Sequence, residues 1–581
     1  LKMTRAVELA GQGSMFRMYV RLSNNGRSPK AVEWFPGWRA SWKLTDTPTR
    51  ARWWKALSYQ RNTIELSPGK KIDLGSRLHS SDVIEGGVNP YWIVGGKNTQ
   101  LHFAIAWCGG WKATLQSNGN LLDWKVWLPP EETQLVLKPG ETIAGPVIYI
   151  TVTKESDEAR ARSSWMLQRA RLARELYGGP PVWYPFHYNH WYSVRFAVDA
   201  AFLRRQVENM DPYGFDSFVI DDGWFEKAGL WNATTRRFAW NTNPKKFKPG
   251  EFADILRAAR KKGAVPGIWT APQLVNSPNK NAPPYLDDPV YYNGHSGGYG
   301  LDLTALDFKS HLLEHVKAFR ENFDCGWWKY DQHWFRQKTR AGIMKNVDAF
   351  QNALLAVRAA NPDLHIEGCN GGGRMINELT LLATQSHWLL DGGHTGLNHA
   401  RQNIVVALGA MDFIFPWAAT RWTNNPDRND QNDDEFTRFY CRSAMAGIWG
   451  IVADLPLIGE QQRNVIIAET KNYRRLNKLK NDCLYDLYLP GSEGGIASIT
   501  FYHASGKAAG ILIYRWDRTG AFEHIIPLKQ LITSMQYQVQ NVDNNQIIRK
   551  TGRELHHKGL VIPFGPQQLS ALVFIKAVDE N

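Results

Sequence analysis

Between residues 181 and 480, short apolar segments alternate with longer amphipathic ones, and this alternation limits the fold more than any other feature of the chain. The short segments are VWYPFHYN, SFVIDD, AVPGIWT, GWWKYD, LHIEG, SHWLLD, MDFIFPW and MAGIWGIVAD. Between them lie VDAAFLRRQVENM, GEFADILRAARKKG, SHLLEHVKAFRENF, VDAFQNALLAVRAAN and INELTLLA, whose apolar residues recur at helical spacing. Eight strands and their helices over some 300 residues match a (β/α)₈ barrel in size and order. A doubly wound sheet is the structural alternative, but no GxGxxG follows a first strand.

The flanking sequence has a different rhythm. Residues 1–154 hold short alternating segments such as FRMYVRLS, LHFAIAW and TQLVLK, separated by Gly, Pro, Asn and Asp, which predict a β-sandwich. Residues 155–180 predict a linking helix that stops at GGPP. The barrel takes 181–482. Residues 483–581, with GIASITFYHA, AAGILIYRW, QYQVQNV, GLVIPF and LSALVFIKA, predict a small antiparallel domain. The fold class is therefore α/β, a TIM barrel between two β domains.

Composition narrows the function. No run of 18 apolar residues exists, so no membrane insertion is expected. The start, LKMTRAVELAGQG, lacks an apolar signal core and does not begin with Met. A trimmed or signal-cleaved chain is the expectation, leaning to an extracytoplasmic (secreted or periplasmic) location with the cytoplasm left open. Net charge is +14, but Lys and Arg are scattered among Asp and Glu with no basic run, so nucleic acid is not an expected partner. The five cysteines have no CxxC spacing and build neither a disulfide framework nor a zinc ribbon. The 25 tryptophans fit either sugar-stacking surfaces or a Trp-rich core.

Active-site groups of a barrel lie at the C-terminal ends of its strands. Here FVIDDGW ends in Asp221 and Asp222, WWKYDQHW in Lys329 and Asp331, HIEGCNGGGR in Glu367 and then Cys369, and HWLLDGG in Asp391. A carboxylate after a buried strand is costly unless it is paired or used. A lone one is a helix cap more often than a catalyst, but four such strand ends converge on one face. Two carboxylates flanking a scissile bond are what glycoside hydrolysis requires. Lys329 shares a strand face with Asp331, and a neighbouring cation lowers a carboxyl pKa, which favours Asp331 as nucleophile. Asp391 follows Trp388, Leu389 and Leu390, an apolar setting that raises a carboxyl pKa and suits a general acid.

In their order, FVIDDGWF, PKKFKPG, GIWTAP, LDLT, WWKYDQHW, EGCNGGGR and HWLLDGG resemble glycoside hydrolase family 36, the bacterial-type α-galactosidases and α-N-acetylgalactosaminidases, melibiase-like enzymes of clan D. The likeness is strongest over 181–480. It implies an N-terminal β-supersandwich, a catalytic barrel and a C-terminal antiparallel domain. It implies a retaining exo-glycosidase acting on terminal α-galactosyl sugars without a cofactor or metal, with homo-oligomerisation left open. Asp331 then matches the nucleophile and Asp391 the acid/base. Asp221 and Asp222 match the pair that binds the sugar 4- and 6-hydroxyls. Trp240, Trp191 and Trp224 match pocket walls, and Lys329, Cys369, Gly371, Gly372, Gly373, Arg374 and His394 line the substrate site.

The departures from the family pattern concern the 2-position and the rim. Met375-Ile376 follow the GGGR arginine where an acidic residue is usual. Leu390-Asp391, followed by Gly392, Gly393 and His394, stands for Ser-Asp, and Gln273 replaces a glutamate. An arginine before LDLT is absent, with GHSGGYG there instead. Removal of bulk near the 2-hydroxyl keeps an α-N-acetylgalactosaminidase or α-galactosaminidase as the alternative. From other classes come a carbohydrate-binding protein on a decayed glycosidase scaffold and a transglycosidase. HLLEH at 311–315 fits an HxxEH zinc motif or two solvated histidines on an outer helix. DRNDQNDDE at 427–435 fits a calcium loop only without EF-hand spacing, and a thiol nucleophile at Cys369 has no His–Asn partner pattern.

Overall fold

A computed structural model describes the chain apart from residues 11–14, 34, 78–86, 134, 179–181, 233–236, 276–288, 291–297, 301–302, 305–306, 332–342, 393–394, 427–432, 489–494, 517–521 and 579–581. Eight parallel strands close into a barrel. They are β1 (Phe186–Asn189), β2 (Ser217–Ile220), β3 (Val265–Thr270), β4 (Trp327–Tyr330), β5 (His365–Gly368), β6 (Ser386–Trp388), β7 (Ala419–Asn424) and β8 (Ile448–Val452). Strand β8 pairs with β1 at Trp449↔Phe186 and completes the cylinder. Some of the helices outside it begin where a side chain satisfies a free N–H: Asp199 accepts from the Phe202 amide at 2.8 Å, and Asn377 forms a capping box with Thr380.

One expected strand moves. MDFIFPW is not β7; residues 411–414 turn, Pro416–Ala418 form a 3₁₀ turn, and the strand is the following ATRWTN. Pro416 cannot donate to a ladder. The apolar run serves a different core: Phe413 packs on Trp54 (4.9 Å between ring centroids), Tyr59 (6.1 Å) and Tyr91 (4.7 Å) of the N-terminal domain.

That domain is a sandwich. An eight-stranded antiparallel sheet, with Lys2–Ala10 at one edge and Arg61–Glu65 at the other, faces a four-stranded sheet containing Trp38–Lys43 and Leu121–Trp127. Between them Trp92 stacks on Phe103 and Trp111, and Trp124 meets Trp42 and Phe103 edge-on. Residues 485–577 form a six-stranded antiparallel sheet and a two-stranded one. Among the described residues twelve tryptophans, including Trp92, Trp224, Trp327, Trp388 and Trp422, are fully buried. Much of the Trp content is thus core. No described helix is long and apolar enough to cross a membrane.

Buried ion pairs hold the units together. The linking helix Glu158–Tyr177 supplies Arg169, which forks onto Glu378 (2.6–3.0 Å) and donates to the Phe413 carbonyl, with Trp165 and Tyr91 against its guanidinium. It also supplies Arg162, which joins Asp412 (2.9 Å) to the Tyr485 carbonyl (2.7 Å). Asp412 further accepts from Arg61 Nε (2.6 Å) and Trp54 Nε1 (3.1 Å). Burial alone would raise the Asp412 pKa, but the guanidinium groups of Arg61, Arg162 and Arg52 outweigh it and hold the carboxyl at about 2.

Asp412→Asn leaves the buried Arg162 without its carboxylate partner and unpairs the half-buried Arg61, so unfolding free energy should fall by about 3–5 kcal/mol. The stability from Asp412 is complete above its unfolded pKa near 4 and is lost as pH falls through about 2. Between those values the melting temperature of the native chain should fall more steeply than that of Asp412→Asn. Parallel slopes would refute the clamp.

Candidate active site

Strands β2, β4, β5 and β6 deliver their last side chains to one floor. Lys329, near the end of β4, does not reach for Asp331. Its ammonium lies 2.7 Å from Asp221 Oδ2, with both side chains nearly fully buried. This corrects the pairing expected from spacing. Asn189 at the end of β1 donates to the same Asp221 oxygen (2.9 Å), and the Asp222 amide donates to the other (3.0 Å). Lys329 Nζ also stands 4.4 Å from the Trp422 ring centroid. Burial alone would lower the ammonium pKa; the facing Asp221 charge, with Cys369 and Glu367 nearby, reverses this and holds it well above the usual range.

Among the described residues, neutral N–H groups serve Asp331. Trp269 Nε1 on β3 donates to Oδ2 (3.2 Å), and the Gly371 amide donates to Oδ1 (2.6 Å). Gln273 binds the Asp331 carbonyl (3.0 Å). The Gly371 amide is aimed by an unusual turn after β5. Asn370, Gly371, Gly372 and Gly373 have φ of 54°, 62°, 78° and 90°, four left-handed residues in succession. A Cβ on Gly372 would lie 2.6 Å from the Asp391 carboxyl carbon, and one on Gly373 would lie 2.2 Å from the Leu389 carbonyl oxygen. Asp331 and Asp391 thus approach consecutive glycines of one turn.

Asp391 accepts from Trp388 Nε1 (2.7 Å). Solvent reaches the residue, yet protein crowds its carboxyl closely. That crowding, then the Asp331 charge, raises its pKa, against Lys329 and the Trp388 bond. Its backbone is anchored from two sides: Tyr59 of the N-terminal domain donates to the Leu389 carbonyl (2.8 Å), and Arg421 on β7 donates to that of Leu390 (2.6 Å). Asp222 is raised well above the carboxylate range by burial first and by the Asp221 and Asp331 charges second, against the Gly223 amide and Lys246. Burial pushes Glu367, bonded to Trp327 Nε1 (3.0 Å), up to about 7. Burial and the Asp331 charge raise the Cys369 thiol well above its ordinary value, so it stays protonated and is no nucleophile.

The structure therefore brings together Asp221, Asp222, Lys329, Asp331, Cys369, Gly371, Gly372 and Asp391. Trp191 stands beside them, half-buried and edge-on to Phe196. Arg374 closes the turn, half-buried, its amide bonded to the Asn370 carbonyl. Trp224 is not a wall: it is fully buried, stacked on Phe252, its Nε1 on the Trp269 carbonyl. Trp240 is buried against Phe225 and Trp269, one ring away from Asp331. His394 and Gly393 lie outside the described residues, as does most of 427–435. His311 and His315 are buried rather than solvated, and His315 Nε2 bonds Thr270 Oγ1 (2.9 Å). Among the described residues no three His, Cys, Asp or Glu are grouped to hold a metal. Trp269 and Asn189 were missed as site residues, although both sit at or beside strand ends. Tyr59 could not have been found, since it comes from another domain.

A family model described as Melibiase matches residues 142–481. The bifunctional alpha-galactosidase/sucrose kinase AgaSK of Mediterraneibacter gnavus is 22% identical over 358 residues, covering 60% of this chain and 37% of that protein. Alpha-galactosidase 1 of Pediococcus pentosaceus is 21% identical over 360 residues, covering 59% and 48%. The chain spans about half or less of the length of these two relatives. Among solved structures, the GH36 alpha-galactosidase AgaA of Geobacillus stearothermophilus superposes with a TM-score of 0.80 at 18% identity, covering 97% of this chain and 80% of that one. A doubly substituted AgaA in complex with stachyose gives 0.79 at 17% identity with the same coverage. These likenesses establish the fold.

Gly372→Ala should cost about 1–2 kcal/mol through its left-handed backbone and should push the Asp391 carboxyl off the Trp388 indole. Urea unfolding reads the first effect and a crystal structure of the variant the second. An Asp391 that stays on Trp388 would mean the turn does not set its position.

Proposed function

The chain belongs to the melibiase family, and from that premise we propose that it is a retaining exo-glycosidase that removes terminal α-linked galactose through a covalent glycosyl–Asp331 intermediate. One observation carries the reading: Asp331 and Asp391 meet the same left-handed turn at consecutive residues but in unlike surroundings. Two N–H donors solvate the Asp331 charge, as a nucleophile needs. Crowding and the Asp331 charge favour a proton on Asp391, as a general acid needs. In the first step Asp391 protonates the glycosidic oxygen while Asp331 attacks the anomeric carbon. The proton given to the leaving group leaves Asp391 as a carboxylate, which is tolerated once the Asp331 charge has been consumed in the ester. It then takes a proton from the incoming water as that water attacks the anomeric carbon and the bond to Asp331 breaks. Two inversions return the α-anomer.

The substrate class, oligosaccharides or glycoconjugates ending in α-galactose, is supported by the alpha-galactosidase relatives and by the stachyose complex of AgaA. The alternative, N-acetylgalactosamine or galactosamine at this position, drew on Ile376 and residues 392–394. Ile376 is fully buried in the core, and Gly392 faces Gln402, so neither gives a 2-substituent room. Gly393 and His394 lie outside the described residues, and the preference for galactose rests on the alpha-galactosidase relatives. Nitrophenyl α-glycosides of galactose, N-acetylgalactosamine, galactosamine and glucose decide the sugar. Products formed with added acceptor alcohols separate hydrolysis from transglycosylation. Turnover of none of them would favour a binding protein on a glycosidase scaffold.

Asp331→Asn should lower kcat on the order of 10³-fold or more without unfolding the chain, and proton NMR should show α-galactose as the first product of the unmutated protein. β-Galactose appearing first would sink both assignment and mechanism. Because Asp391 must carry a proton, kcat/KM should decline as pH rises through its raised pKa. In Asp391→Ala that basic limb should vanish, and azide should restore part of the rate.

Galactose and glucose differ at the 4-hydroxyl. Asp221 is already committed to Lys329, Asn189 and an amide, which leaves Asp222 to meet the sugar's 4- and 6-hydroxyls. A buried polar group left unpaired by the wrong epimer discriminates strongly. Asp222→Ala should cut the ratio of kcat/KM for matched α-galactoside and α-glucoside by roughly 10²-fold or more. An unchanged ratio would move specificity to Trp191 and the rim.

A further inference from the structure

Strand β7 buries a cation behind the acid/base. Arg421 is 1% exposed, yet its hydrogen bonds go to neutral groups. Nε donates to the side-chain carbonyl of Asn403 (2.8 Å), in the helix Gly396–Ala410, and Nη1 to the Leu390 carbonyl (2.6 Å). Nη2 is buried and has no partner among the described residues. The guanidinium lies 4.9 Å from the ring centroid of Trp388, the indole whose N–H holds Asp391. Trp388 packs in turn on Trp422 (4.0 Å), which the Lys329 ammonium faces. Burial lowers the guanidinium pKa to about 10, which leaves it charged at neutral pH. A buried cation bonded only to neutral groups is expensive, and such groups gather at functional sites. Four groups bear most on its charge. Tyr59, Tyr192 and Tyr440 are phenols whose pKa burial raises, so they stay neutral. The fourth is Asp391, which itself faces Asp331, Lys329, Asp221 and the Cys369 thiol. His399, one helical turn before Asn403, is held between the Trp422 carbonyl and the Asn424 side chain.

We propose that Arg421 is a positioning residue for the second half of the reaction, the counter-charge that keeps Asp391 ionised and seated on Trp388 while the sugar is bonded to Asp331. The inference rests on the retaining mechanism above. Before the first step the anion of the pair is Asp331, served by Trp269 and Gly371. After it Asp331 is an ester, the leaving group has taken the Asp391 proton, and the negative charge has passed to Asp391. The donors that serve Asp331 do not travel with it. The new anion meets the Trp388 N–H, with Arg421 against that ring. Lys329 is already paired with Asp221, whereas Arg421 holds only an amide and a carbonyl. A cation on an indole face draws on its π density, and polarised donors bond more strongly. The Nη1 bond to Leu390 fixes the neighbour of Asp391 as well, so one side chain sets both charge and place. In the resting state crowding and the Asp331 charge prevail, and Asp391 keeps its proton. Once Asp331 is esterified that opposing charge is gone, and a nearby cation favours the carboxylate.

The test separates the two half-reactions in the whole chain. A dinitrophenyl α-galactoside, whose leaving group needs little acid help, makes breakdown of the glycosyl–enzyme limiting. With it Arg421→Gln, uncharged but still able to bond the Leu390 carbonyl, should lower kcat about tenfold and KM in step, leaving kcat/KM within about twofold. Mass spectrometry of the quenched reaction should find the chain one hexosyl unit heavier. Azide, an anionic nucleophile that needs no base, should restore kcat. The basic limb of kcat/KM should move to higher pH, because Asp391 has lost a cation that favours its ionised form. Arg421→Lys keeps the charge and should stay near the unmutated chain in each respect. Asn403→Asp leaves Arg421 in place but hands it a counter-anion. It should act as Arg421→Gln does, and it decides the matter where Arg421→Gln does not fold. A fall of kcat and kcat/KM together, with the basic limb unmoved and no azide rescue, makes Arg421 structural only and overturns the proposal. An unmutated chain that releases no α-galactose fails the glycosidase reading instead, whereas retained product with unmoved limbs fails Arg421 alone.

Discussion

The ammonium of Lys329 fixes how charge is shared across the barrel floor. Asp221, Asp222, Asp331, Asp391 and Glu367 all come from the ends of β2, β4, β5 and β6. Several carboxylates crowded into one place, most of them buried, cannot all ionise alike. Lys329 lies against one of them, Asp221, and its ammonium also faces the rings of Trp422 and Trp388. The others are sorted by what remains. Asp331 finds two N–H donors, while Asp222, Asp391 and Glu367 are pushed toward their neutral forms. Carboxyl groups with pKa values driven apart are the raw material of acid–base chemistry. Here the division follows from the cation's choice of partner.

The turn after β5 supplies the rest of that asymmetry. Four consecutive left-handed residues are costly for any side chain, and only glycine adopts this backbone cheaply. Asn370, the one non-glycine, bonds Tyr330 through its side chain (3.3 Å). The conformation is held because the Cys369 amide bonds the Tyr330 carbonyl on β4 and the Gly373 amide returns to the Cys369 carbonyl. The strain places an amide 2.6 Å from Asp331 and clears the space that Asp391 occupies.

The barrel was legible because its strands and helices obey two different periods, and the strand-end carboxylates because charge rarely follows a buried apolar run. MDFIFPW misled because apolar sequence reports burial, not the surface that buries it; there it was the N-terminal domain. The Lys329–Asp331 pairing misled in a related way. Two residues apart on a strand share a face, but inside a closed barrel the neighbouring strand is as near as the next residue but one. Trp224 misled because a tryptophan beside a carboxylate reads as a sugar platform, whereas its ring fills the layer behind β3. No local pattern could have shown the turn as a run of left-handed residues, although its three glycines hinted that backbone must pass close to something.

The N-terminal domain enters the site as support. Tyr59, itself at a positive φ of 54°, places its hydroxyl on the Leu389 carbonyl and its backbone so close to Gly409 that a Cβ there would lie 2.4 Å from the Tyr59 oxygen. Its ring stacks on Phe413, one residue from Asp412, where Arg61, Trp54 and Arg162 converge. Glu378, only a few residues after the glycine turn, is gripped by Arg169 of the linking helix. The two segments that carry Gly372 and Asp391 are therefore both tied to chain outside the barrel. In the proposed mechanism Asp391 must keep its distance from Asp331, and such a carboxyl cannot hang on a free loop. The sandwich and the linking helix fix that distance from behind, which explains why residues so far from β5 and β6 in sequence are folded against them.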